Sequence, residues 1–177
     1  MNKSELQKKL QENHLVFIEK IRSLSEDEFL YSPEGKWAAG QQLAHIIKSV
    51  SPVNLAFSLP AFLIKLIFGK ANRSSRTYDA LVEKYKLKLS EGGKAPGRFV
   101  PQPIEFIDRK QLTEKLQQVV TSLSNRVNHK SEHELDTMII PHPLLGKLTF
   151  REMIYFSIYH VEHHHKSAVH NLSQYSQ

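Results

Sequence analysis

LTFREMIYFSIYHVEHHHKSAVHN, residues 148–171, is the stretch that decides the fold. Thr149 is a good N-cap, and Glu152 three residues on completes a capping box, so a helix starts here. Phe150, Ile154, Val161 and Ala168 mark a buried stripe at helical spacing, and the helix runs to about Asn171. Five histidines fall within "YHVEHHHKSAVH", residues 159–170. A purification tag is an uninterrupted run on a disordered end. This run is broken by Val161, Glu162, Lys166 and Ser167 and continues the helical pattern, so it reads as native. Each residue turns a helix by about 100°, so positions four apart share a face. His160 and His164 lie together on one edge of the stripe, beside Met153 and Ser157. His163 falls further round toward solvent, His165 sits alone on the other edge, and His170 is at the frayed end. An H-x-x-x-H pair can place two imidazole nitrogens on one divalent ion. It can also be two interfacial histidines that cover the core.

Three more long helices lie upstream. Leu6, Leu10, Phe17, Ile21 and Leu24 predict an amphipathic helix over 4–24 with Ser4 as its N-cap. Ser25 to Glu28 reads as a capped short turn of helix, and "YSPEGKW" as a loop. Leu43, Ile47 and Val50 predict a second helix over 38–50, ended or bent by Pro52. Shorter helices are expected over 60–68 and 76–89, then a loop over 91–103, rich in glycine and proline. Leu112, Leu116, Val119, Leu123 and Val127 give a third long helix over 108–128. The run around Met138–Ile140 could be extended, but Pro141 and Pro143 exclude a central strand. Four long helices and no convincing strand predict an all-α four-helix bundle, one domain over 1–177, with a long helical and loop insertion between helices two and three.

The 177 residues are 40% hydrophobic, enough for a proper core. The net charge is +6, but lysines and arginines are spread along the chain and read as a solvated surface. No zinc-finger spacing and no aromatic RNA-binding strand is present, so no nucleic-acid partner is expected. The chain has no cysteine, which excludes disulfides, thiolate ligands and a cysteine nucleophile. The charged start "MNKSELQKKLQENH" lacks a signal-peptide core, so a cytoplasmic location is the default expectation. The most apolar stretch, "PVNLAFSLPAFLIKLIFG" at 52–69, is broken by Ser58, Pro60 and Lys65 and is too short to span a membrane. A buried helix, an oligomer interface or a flap over a site fits it better.

A metal needs a third ligand, and helix two offers His45. Periodicity does not select it. His45 lies away from the Leu43–Ile47–Val50 stripe, near Ala38 and Ser49, and by spacing alone it reads as exposed.

Two segments carry a resemblance. "SPEGKWAAGQQLAHI", 32–46, has a Gly-Lys-Trp turn and then a histidine on helix two. "HPLLGKLTFREMIYFSIYHVEHHHKSAV", 142–169, has His-Pro, a glycine, Leu-Thr opening the last helix, and H-x-x-x-H within it. In order and separation they resemble the signatures of the DinB/YfiT-like superfamily. The resemblance implies a DinB-type four-helix bundle and a divalent metal, Zn, Ni or Fe, on His45, His160 and His164. It also implies a homodimer and a small-molecule substrate. Members of this superfamily include thiol S-transferases that use a low-molecular-weight thiol, isomerases, and proteins described as metal-dependent hydrolases. The expected function is therefore a metal-dependent enzyme. Its three-His metal would activate water or a diffusible thiol for attack on a small electrophile. The rival is a non-catalytic, metal-stabilised bundle acting as a stress-related binding protein, with the apolar 53–68 segment as its docking surface.

Around such a metal, Gln41, one turn before His45, is a candidate acceptor for a ring N–H, or an exposed residue. His142 either lines the pocket or braces its loop. Trp37 reads as core, and Gly146 as turn geometry before the Thr149 cap. Arg73 and Arg76, with Lys65 and Lys70, make 65–76 basic, a surface feature or a site for an anionic cosubstrate.

Overall fold

The structure, a computed structural model, describes residues 1–175. In chain order the helices are α1 (Lys3–Ser23), α2 (Glu26–Leu30), α3 (Ala39–Ser58), α4 (Ala61–Phe68), α5 (Tyr78–Ser90), α6 (Arg109–Asn128), α7 (Glu132–Thr137) and α8 (Phe150–Leu172). A hairpin of β1 (Ile139–His142) and β2 (Gly146–Thr149) precedes α8. The four long helices close a ring: α1 and α3 each pack on both α6 and α8. This is the expected four-helix bundle. No single helix among the described residues is long and apolar enough to cross a membrane.

α8 is the centre of the packing. Every residue from Phe150 to Ile158 is buried, more than the single stripe predicted from the sequence. α1, α3, α5, α7 and the hairpin all touch it, so its first half is covered on all sides and has no solvent face, while its second half exposes Lys166 and His170. Two charged residues are carried inside by partners. Arg151 bonds Asp136 at 2.6 Å and also Glu132. Glu152 accepts from Arg73 at 2.6 and 2.8 Å, from Arg76 at 3.1 Å, and from the Arg76 backbone N–H at 2.8 Å. The Thr149–Glu152 capping box forms as predicted, and the same carboxylate ties the 73–76 segment to the start of α8. Arg73 and Arg76 are therefore spent on an internal partner.

Several boundaries differ from the sequence reading. Asn2, not Ser4, caps α1, with Glu5 completing its capping box. α3 does not end before Pro52 but runs through it to Ser58. The proline removes one helix hydrogen bond, and burial of Val50, Val53 and Phe57 holds the second half helical. The 138–149 region forms a two-stranded hairpin in which Pro141 pairs with Lys147. Both strands are edges, where a proline is tolerated. Gly146, at φ +77°, supplies the left-handed residue after the Pro143–Leu145 loop. The segment before it includes the short helix α7, capped by Ser131.

His14 lies within the core on α1, its Nδ1–H donating to the Leu10 carbonyl at 2.7 Å. Burial pushes its pKa down to about 4. The unfolded chain takes up this proton below about 6.5, the native chain only near 4, so stability present above 6.5 is lost as pH falls through that window. At pH 4.5 the loss through this group is about 2.5 kcal/mol. Urea unfolding of the parent and His14→Gln at pH 7 and 4.5 checks this, the variant losing less by that amount. Equal losses would contradict it.

Candidate metal centre

His45 on α3 and His160 and His164 on α8 converge in the interior, all three buried. His160 Nε2 stands 3.3 Å from His45 Nε2 and 3.1 Å from His164 Nε2. Nitrogen ligands at 2.0–2.1 Å in a tetrahedron are about 3.3 Å apart, so the spacing suits one small cation. The outer nitrogens fix the tautomers of His45 and His164. His45 Nδ1–H donates to the Phe99 carbonyl at 2.8 Å, and His164 Nδ1–H donates to the Gln42 side-chain oxygen. Each of these rings therefore turns an Nε2 lone pair toward His160. Two lone pairs aimed at His160 Nε2 are met by a proton on that nitrogen or by a cation shared among all three, and three convergent imidazole nitrogens at this spacing fit a divalent metal.

The electrostatics agree. Burial pushes the pKa values of His160 and His164 well below the ordinary imidazole value, reinforced at His160 by His164 and His45 and at His164 by His45. Burial also lowers His45, against the pull of its Phe99 bond. Neutral rings at pH 7 leave no proton for a metal to displace. Among the described residues no further histidine or carboxylate joins the cluster.

The cluster lies on the wall of a cavity of about 820 Å³, lined mainly by apolar side chains. Trp37 does not pack in the core. It lines this cavity, 4.9 Å between ring centroids from His45 and parallel to His164 within 11°. Asn171 holds it there by donating to the Trp37 carbonyl at 3.1 Å. Phe156 stacks on His160 at 4.6 Å, and Tyr85 of α5 meets the same ring edge-on at 6.1 Å. Burial raises the Tyr85 hydroxyl to about 12, so it stays protonated at neutral pH.

His142 meets both alternatives at once. Its Nδ1 accepts from the Leu144 and Leu145 N–H groups at 3.2 and 3.1 Å, which braces the hairpin loop. Its ring lines the cavity edge-on to Phe156, and burial lowers its pKa to about 4, which leaves the proton on Nε2. His163 is half-buried and also lines the cavity, nearer the site than the helical wheel placed it.

A profile of the DinB superfamily matches residues 9–168. The chain belongs to the DinB superfamily. Among solved structures, one described as YfiT from Bacillus subtilis, "a probable metal-dependent hydrolase with an unusual four-helix bundle topology", superposes with a TM-score of 0.62. That match has 16% sequence identity and covers 98% of this chain and 87% of the other, a likeness of fold. A comparison with curated proteins gives no match. In this DinB chain the glutamine that reaches the cluster is Gln42. The neighbouring Gln41 turns its side-chain oxygen back to the Ala38 N–H at 3.0 Å and caps α3. The capping position draws Gln41 away, and Gln42, three residues before His45, faces α8 instead. Sequence spacing gave no sign of Tyr85 or of the Phe99 carbonyl, since both sit in the connection between α3 and α6.

Gln42→Ala is expected to weaken Zn binding by roughly 10- to 100-fold, the usual cost of losing a partner of a ligand histidine. Gln41→Ala should leave affinity unchanged. Competition titration against a chromophoric chelator measures both, and equal affinities for Gln42→Ala and the parent would remove Gln42 from the site.

Proposed function

We propose that this protein is a metal-dependent enzyme. His45, His160 and His164 would hold a divalent cation, which would supply Lewis acidity to activate water, or a diffusible low-molecular-weight thiol, toward a small electrophile. The observation that carries this reading is the opening of the three-nitrogen cluster onto a cavity. Three protein ligands and a pocket leave room for a reactant, whereas a structural site is closed by a fourth ligand.

The chain's own groups have clear parts. Phe99 and Gln42 orient the His45 and His164 rings and keep their Nε2 lone pairs inward. Trp37, Phe156 and Tyr85 surround the histidines with aromatic surface, which excludes water and strengthens every electrostatic interaction inside. His142 presents an N–H from the cavity wall, available to a substrate oxygen. The thiol reading requires a diffusible cosubstrate, because the chain has no cysteine.

The test is turnover. Chelator-treated protein reloaded with Zn, Ni or Fe is screened on esters, amides, phosphoesters and alkylating electrophiles, with and without a low-molecular-weight thiol. The reading expects metal-restored turnover that His160→Ala lacks. A protein that binds metal and turns over nothing in either condition would return the site to a structural role.

A further inference from the structure

The cavity has a direction. His45, Ser49, Pro52 and Ala56 line it at helical spacing along one face of α3, and Leu59, the C-cap of that helix, continues the row. Fourteen steps of 1.5 Å from His45 to Leu59 make this wall about 21 Å long. An extended chain advances about 1.2 Å per backbone atom, so the wall suits up to roughly sixteen carbons in line. Beyond the histidine cluster along this row the lining includes Leu55, Leu59 and Phe68, and Leu55 is 63% exposed.

The histidine end differs in charge. Lys48, one turn after His45, and Arg98, next to the Phe99 whose carbonyl holds His45, both line the cavity. No aspartate or glutamate is among its lining residues. Lys48 donates only to a neutral acceptor, the Val100 carbonyl, at 2.9 Å. Two cations with no carboxylate on the same wall favour an anion at that end, and a bound divalent metal would add to the same field.

We propose that the ligand of this cavity is an anionic amphiphile. Its single apolar chain lies along α3 toward Leu59, and its anionic head is at the His45–Lys48–Arg98 end. This names the substrate class for the enzyme reading above and rests on that reading for its catalytic meaning. Binding itself rests only on the cavity wall and the two cations.

The experiment is equilibrium dialysis of radiolabelled straight-chain carboxylates against chelator-treated and Zn-loaded protein, with dodecanol and dodecylammonium as head-group controls. Dodecanoate is expected to bind saturably in both forms, with affinity rising about fourfold per methylene from hexanoate to dodecanoate. The neutral and cationic analogues are expected to bind at least about tenfold more weakly. Lys48→Ala/Arg98→Ala, at two exposed positions, should weaken dodecanoate by about tenfold and leave dodecanol unchanged. No saturable binding, or hexanoate binding as tightly as dodecanoate, would overturn the chain assignment. Equal binding of dodecanol and dodecanoate, or an unaffected double variant, would overturn the anionic head. The metal-free titration reads the cavity alone. A protein that takes up no metal yet shows the chain-length series therefore fails the enzyme reading and keeps this one.

Discussion

Replacing His160 with alanine is expected to weaken divalent-metal binding by more than roughly 100-fold, beyond what the loss of a ring's hydrogen-bond partner costs. His160 Nε2 is the nitrogen from which both other Nε2 atoms are 3.1–3.3 Å away, so its loss removes the shared member of the cluster. The variant should still fold. Loss of the ring opens a void against Phe156, at a cost of about 2–3 kcal/mol. Metal separates the two effects. Zn at 100 times its dissociation constant adds about 2.7 kcal/mol to a protein that binds it only when folded. In a domain of this size that is a rise in Tm of roughly 5–10 °C. The parent should gain it and His160→Ala should not. Equal gains would place the binding elsewhere.

The second large effect is expected far from the histidines. Glu152→Ala should destabilise the protein by about 3 kcal/mol. Glu152 is buried, yet its pKa is pushed down to about 2: burial alone would raise it, and the bonds from Arg73, Arg76 and the Thr149 backbone outweigh burial. Truncation leaves the Thr149 and Arg76 N–H groups without their acceptor and two guanidiniums without a counter-ion. Both arginines are about a third exposed and can turn to water, which keeps the cost at the lower end of the range for a broken buried pair. The damage should reach the cavity as well, because residues 73–76 lead into α5, which carries Tyr85. Urea unfolding measures the stability. A loss below about 1 kcal/mol would make Glu152 no more than a helix cap.

Helix periodicity made the bundle legible. The stripes of α1 and α6 and the Thr149–Glu152 box were sufficient for those helices, because local spacing and capping are what place a helix. The course of α3 beyond Pro52 was not legible, since burial of Val53 and Phe57 outweighs a local breaker and depends on neighbours distant in sequence. The hairpin was hidden by its prolines, which exclude a central strand but not an edge pair. At the site, His160 and His164 could be paired by their spacing alone. His45 could not, because its own helix pattern placed it at the surface and only the packing of α3 on α8 brings it inward. Trp37 was misplaced for the same reason: a large ring at a helix start is buried as well by a cavity wall as by a core. Glu152 was legible as a cap, while its two arginines, 76 and 79 positions earlier, were not.

The central claim is that three neutral histidines hold a cation, and metal content tests it most directly. Untagged protein, purified without a nickel column, is analysed for elements beside His160→Ala and His164→Ala. The account predicts about one equivalent of a divalent metal per chain in the parent, lost in both variants while their helical signal remains. Folded parent protein that carries no metal and takes up no Zn, Ni or Fe on titration would contradict it.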